Sequence, residues 1–237
     1  MLGPYVNGVS VLAGSLGGAM LGSRLSKNLR NRMPMVFGCA SMGLGVAMIV
    51  KVKSLPPMVL ALVLGSILGE LVHLETGVQK IAAKTRKLIE KISKPSGDLS
   101  HDEFLEKFVA IMVLFCVSGT GIFGAMSEGM TGDPTLLIVK AILDLFTSAI
   151  FAASLGYTVA TLVVPQFAIQ AALYFGAAFI MPLATPAMVA DFSACGGLIM
   201  LATGFRICGI KQFAVANMIP SLFLVMPLSA LWAKYMG

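Results

Sequence analysis

FCVSGTGIFGAMSEGMTGDPTLLIVKAILDLFTSAIF, residues 115–151, decides how this chain is read. Its first half is an apolar segment interrupted by Ser118-Gly119-Thr120-Gly121. A short link with Glu128 and Asp133 follows, and then a second apolar segment with Lys140 and Asp144 one helical turn apart. Two glycines and two hydroxyl residues weaken regular helix. In lipid, backbone freed by such a break must be satisfied by protein or by cavity water. The stretch therefore predicts one membrane helix broken at Ser118–Gly121 and a second that carries ions.

The flanking chain supplies the lipid context. Of the 237 residues, 57% are hydrophobic and 12% charged, against about 25% charged in soluble domains. Several runs approach the roughly 20 apolar residues that span a bilayer core of about 30 Å. The expectation is an all-α polytopic membrane protein forming a single transmembrane domain over residues 1–237. The start, MLGPYVNG, has no basic n-region, so the first apolar run is expected to stay as a helix.

Thirteen of the seventeen Lys and Arg lie between Arg24 and Lys53 or between Lys80 and Lys107. Basic blocks beside apolar spans mark cytoplasmic loops, not nucleic-acid sites. Counting on that basis gives eight spans with the N-terminus outside, and the links holding Glu128, Asp133 and Asp191 outside as well. Seven spans is the competing count, because residues 134–182 are crowded. Residues 76–94 place Lys80, Lys84, Arg86, Lys87 and Lys91 around Val78, Ile81, Leu88 and Ile92. This is the pattern of a basic amphipathic helix lying on the cytoplasmic leaflet. Asp133-Pro134 has the form of a helix start, and Ser100–Glu103 that of a capping box.

Gly14, Gly18 and Gly22 on the first span, and Gly65 and Gly69 on the third, are spaced for close helix packing. That packing lies either within the chain or in a homo-oligomer. Sliding the chain by 159 positions sets Asn7 on Gln166, Gly38 on Gly197 and Gly45 on Gly204. Spans 1–3 then correspond to spans 6–8 in opposite orientation, the inverted-topology repeat of many transporters.

The candidate solute or ion site comprises Ser118, Gly119, Thr120, Gly121, Lys140, Asp144 and Ser148, with the polar positions Asn7, Gln166, Gln170 and Asn217 on other spans. Intramembrane ions are functional candidates by default. Lys140 and Asp144, at i and i+4, also suit a structural ion pair. The four cysteines show no ligand spacing, so no metal and no cofactor are expected. No HExxH, GxSxG or nucleotide-binding glycine loop occurs, so no enzyme is expected.

YVN (Tyr5–Asn7), LGSILGELVHLE (Leu64–Glu75), the Phe115–Asp133 stretch, KAILDLFTSAIFAASLG (Lys140–Gly156), DFSACGGLIMLATGF (Asp191–Phe205) and GIKQFAVANMIPSL (Gly209–Leu222) appear in order. With these motifs the chain resembles the YqgA/YdfK-like bacterial inner-membrane family of unknown function. It departs at Ser118-Gly119, where the family tends to show Gly-Pro, and at Asp144-Leu145, where it shows Asp-Gly. Ile169-Gln170-Ala171 stands for the usual Tyr-Gln-Gly, and Arg206 for a frequent Asn. The resemblance implies a location in the bacterial inner membrane and a transport role, with no assigned substrate. Two functions follow: a secondary transporter or channel for a small polar or charged solute, or a scaffold or sensor that binds a partner through residues 76–94. Membrane lipids and a small solute or ion are the expected partners.

Overall fold

The computed structural model describes residues 1–21, 26–80 and 118–236, together with positions 104, 108, 111, 112 and 114–116. The described residues form helices and no strands: α1 (Gly3–Leu21), α2 (Lys27–Ile49), α3 (Leu55–Leu71), α4 (Gly119–Thr131), α5 (Thr135–Leu155), α6 (Val163–Ile180), α7 (Pro186–Ile207), α8 (Val215–Met218) and α9 (Pro220–Tyr235). Most of the basic amphipathic helix expected over 76–94, and the Ser100–Glu103 box, lie outside the described residues.

Local chemistry sets the helix ends. Pro56 and Pro57 open α3, and Pro186 opens α7 behind Thr185, whose Oγ1 accepts the Met188 N–H. Proline is suited to a first helical turn, where its missing N–H has no partner to lose. His73 adopts a left-handed backbone (φ 55°), and the helical segment Leu74–Lys80 departs from α3 at 48°. Gly132 closes α4 at φ 75°, a value that favours glycine. The expected start of α5, with Asp133 as N-cap and Pro134 as first residue, is displaced by one position. Pro134 holds the N-cap position and α5 starts at Thr135, while Asp133 Oδ1 accepts the Thr135 N–H at 3.0 Å from one residue further out.

Among the described residues, Thr135–Ile180, Pro186–Ile207 and Val215–Tyr235 are long and apolar enough to cross a bilayer, and α3 joined to Leu74–Lys80 makes a fourth. The first of these is 46 residues long. Straight, it would reach about 69 Å at 1.5 Å per residue, twice the bilayer core. A 3₁₀ segment, Gly156–Leu162, turns it instead, starting at Gly156 with φ 68°. The chain doubles back there, which brings Gln166 onto Asp144.

Burial runs opposite to that of a water-soluble domain. Asn7, Ser148 and Asp191 are fully buried, whereas Phe179 is 83% exposed and Val164 73% exposed. Apolar side chains facing outward need lipid as solvent. Within lipid, helices gain little from hiding leucine, so association depends on close contact between backbones and on interhelical hydrogen bonds. The glycines provide that contact within the chain. α1 packs on α5 through Gly14 and Gly18, and α3 packs on α9 through Gly65 and on α8 through Gly69. α2 packs on α7 through two reciprocal pairs, Gly38 with Gly204 and Gly45 with Gly197.

Neighbouring glycines on α1 give a matched test. A Cβ at Gly18 would lie 2.0 Å from the Ala149 carbonyl oxygen, while one at Gly17 would meet nothing within 4 Å. Gly18→Ala should therefore destabilise by about 1–3 kcal/mol or more, since backbone cannot move aside as a side chain can. Gly17→Ala should leave the midpoint of thermal unfolding in detergent unchanged or slightly raised, since alanine suits an open helical position better than glycine. Equal midpoints for the two variants would contradict the packing.

Candidate functional site

Lipid-embedded charge needs a partner, and Asp144 has one on every side that carries a polar group. Its Oδ2 accepts from Lys140 Nζ one turn earlier on α5, from Asn7 Nδ2 on α1 at 2.8 Å and from Gln166 Nε2 on α6 at 2.8 Å. Asn7 Oδ1 accepts in turn from Gln166 Nε2 and from Gln170 Nε2, the latter at 2.7 Å. These five side chains are 0–6% exposed. Charge-assisted hydrogen bonds are about twice as strong as neutral ones, and the low dielectric of the site increases their weight.

The glycine break supports this cluster. Residues 114–116 are helical, Ser118 is extended (φ −71°, ψ 137°), and α4 starts at Gly119. Ser118 Oγ accepts the Gly121 N–H at 3.1 Å and so caps α4. A Cβ at Gly121 would lie 2.7 Å from Lys140 Cε, so the missing side chain is the space that the lysine stem occupies. The Lys140 ammonium also lies 5.6 Å from the centre of the Phe115 ring, within cation–π range. Thr120 Oγ1 faces Ser41 Oγ of α2 at 3.5 Å, and Ser41 donates to the Met200 carbonyl of α7 at 3.0 Å. Ser148 donates to the Leu145 carbonyl and packs against Gly14.

Of the sequence-nominated residues, Asn7, Lys140, Asp144, Gln166 and Gln170 share one network, with Ser118 and Gly121 behind the lysine. Asn217 stands apart. It lies within α8, where its Oδ1 accepts the Glu75 N–H at 2.7 Å and its Nδ2 donates to Glu70. Glu75 also accepts the Ala216 N–H and pairs with Arg206 at 2.7 Å.

Three acids emerge with roles that spacing did not suggest. Glu128 and Asp191, expected in outer links, lie inside α4 and α7 at 2% and 0% exposure. Glu128 accepts the N–H groups of Leu2 and Gly3 at the start of α1. Asp191 accepts those of Lys53 and Ser54 at the start of α3, both at 2.8 Å, and the Ser229 hydroxyl at 2.6 Å. With Glu75 at α8, each carboxylate sits on the positive end of another helix and satisfies orphan donors there. Their presence inside apolar runs was the available signal.

These features define an all-helical membrane protein with an ion pair and an amide relay at its centre. The chain belongs to the family described as "Protein of unknown function (DUF554)", whose model matches residues 2–230. It is 52% identical over 235 residues to "Uncharacterized protein YqgA" of Escherichia coli (strain K12), covering 99% of each chain. It is 26% identical over 230 residues to "Uncharacterized membrane protein YdfK" of Bacillus subtilis (strain 168), covering 94% of this chain and 93% of that one. No solved structure matches.

The Lys140–Asp144 pair predicts non-additive energetics. Lys140→Met alone leaves a buried carboxylate uncompensated and should cost about 3–5 kcal/mol. The double variant Lys140→Met/Asp144→Asn removes both charges and should recover most of that loss. Chemical unfolding in detergent gives the cycle, and additive single effects would rule out coupling of the pair.

Proposed function

We propose that the chain is a secondary transporter or channel for a small polar or charged solute, acting through the Asn7–Lys140–Asp144–Gln166–Gln170 cluster. The observation that carries this reading is a buried charge pair joined to amides of two other helices, beside a helix broken at Ser118. Any buried ion pair needs hydrogen bonds such as those from the amides, but a merely structural one does not need the broken helix beside it. Non-helical backbone at membrane depth is tolerated where protein or a cavity satisfies it, and transporter sites are often built from such discontinuous helices.

The proposed topology is eight spans in a bacterial inner membrane, with the N-terminus outside and the basic loops cytoplasmic. An inverted repeat of spans 1–3 and 6–8 goes with it. Its support is that residues 159 positions apart touch: Gln166 donates to Asn7, and Ser41 donates to the Met200 carbonyl. The same shift sets Gly38 on Gly197 and Gly45 on Gly204. The observed contacts cross that correspondence, Gly38 meeting Gly204 and Gly45 meeting Gly197. Such reciprocity is the mark of a two-fold relation. Here it would relate two halves of one chain, with Asn7 and Gln166 near the axis.

The test is flux through reconstituted protein. Proteoliposomes screened against a panel of small polar and charged solutes should show protein-dependent uptake driven by a gradient. The folded double variant Lys140→Met/Asp144→Asn should lose it by at least about tenfold, the effect of about 1.4 kcal/mol at the limiting step. Uptake equal to wild type in that variant would reject the site.

A further inference from the structure

Two acceptors in the cluster have no donor. Gln166 Oε1 and Gln170 Oε1 are buried and unpartnered, on residues 1% and 3% exposed. They belong to side chains one turn apart on the same face of α6, and both amide nitrogens converge on Asn7 Oδ1. Leaving one buried carbonyl oxygen unsatisfied is costly, and native interiors seldom do so without a reason.

The carboxylate explains why the amides point this way. An ionised Asp144 only accepts, so Asn7 and Gln166 must turn their NH₂ groups toward it. Asn7 then offers its oxygen to both glutamines, and their own oxygens are left facing away. A protonated Asp144 has an O–H to donate. The relay can then reverse: Asn7 Oδ1 accepts from Asp144, Asn7 Nδ2 donates to the glutamine oxygens, and the glutamine NH₂ groups take the outer positions. One proton thus changes the outer end of the relay from acceptors to donors.

We propose that Gln166 Oε1 and Gln170 Oε1, with ionised Asp144 behind them, hold a small monovalent cation, and that this cation and a proton on Asp144 occupy the cluster in alternation. Carbonyl oxygens replace the hydration shell of such an ion in other membrane sites. The charges balance. With Asp144 ionised and Lys140 protonated the pair is neutral; a bound cation adds one positive charge, and so does a proton on Asp144. Exchange is therefore one for one and electroneutral. The inference rests on the transport reading of the same cluster and names its ligand class. Among the described residues, the titratable groups around Asp144 are Lys140 on its own helix and Cys116 on the helix before the break, which feels both charges. α1 and α6 face it with amides only. Glu128 on α4 is engaged by Leu2 and Gly3.

The test uses the purified full chain in detergent. Thermal unfolding is followed while Li⁺, Na⁺, K⁺ or NH₄⁺ replaces N-methyl-glucamine at constant ionic strength, from mildly alkaline pH down to the acid limit of the native fold. A saturable rise in the unfolding midpoint is expected for at least one small cation, because a ligand of the native state stabilises it. The half-saturating concentration should climb as pH falls, because protons compete with the cation for the cluster. A response to the alkali ions alone identifies a metal-ion site, and a response to NH₄⁺ alone identifies a protonated-amine site; each supports the proposal. Gln170→Met should weaken the response by about tenfold to a hundredfold, the effect of one hydrogen-bond-strength contact to a charge. Gln166→Met serves if the first variant does not fold, and the pH dependence of the wild type decides if neither does. No saturable response, a half-saturating concentration that does not change with pH, or an equal cation response in a folded glutamine variant and wild type would each overturn the site. Binding without flux in proteoliposomes would leave the site standing and sink the transport reading, while flux without saturable binding would do the reverse.

Discussion

The structure depends on how one buried carboxylate is neutralised. Taking Asp144 and Lys140 out of water costs several kcal/mol per ion even after relaxation. Their attraction offsets that only when the remaining hydrogen-bond capacity is filled. Asn7 from α1 and Gln166 from α6 add two bonds toward that end, so three helices are tied to one oxygen atom. The close seating of α1 on α5 follows, because Asn7 reaches Asp144 only if the backbones approach. Gly14 and Gly18, about two and three turns beyond Asn7 on α1, leave room for that approach.

The same electrostatic logic recurs away from the cluster. Glu128, Asp191 and Glu75 each accept N–H groups at the start of a helix distant in sequence. In lipid these donors have no water to turn to, and an acid from a neighbouring helix satisfies them while meeting the positive end of the dipole. The acids act as tertiary clamps between segments over a hundred residues apart. At α4 the arrangement differs: Ser118 caps the helix, and the nearest charge is the Lys140 ammonium rather than a carboxylate. That positive region is balanced by Asp144 and the Phe115 ring. The break and the ion pair are therefore one electrostatic unit.

Much of this was legible from residue types alone. Apolar runs with few charges announce helices in lipid, because the solvent is one-dimensional in its demands: every exposed side chain must be apolar and every backbone group internally bonded. The Ser-Gly-Thr-Gly interruption, the i,i+4 ion pair and the four-residue glycine spacing are local patterns, so they can be read without knowing what faces them. The break at Ser118 and the glycine contacts on α1 and α3 appear where those patterns put them. Residue type also named Asn7, Gln166 and Gln170 as out of place in lipid.

Partnership is what local pattern does not contain. Asn217 is as polar as Asn7, yet it joins Glu70 and Glu75 at α8 and not the Asp144 cluster. Glu128 and Asp191 resemble solvated link residues, yet they are buried caps of α1 and α3. The reciprocal pairing of Gly38 with Gly204 and of Gly45 with Gly197 likewise exists only once α2 lies on α7. The sequence by itself determined the solvent, the helical class, the break and the roster of costly residues, because each is set by the chemistry of a short segment. Tertiary structure alone decided which of those residues neutralise one another, because hydrogen bonds between helices depend on distances that no single segment specifies.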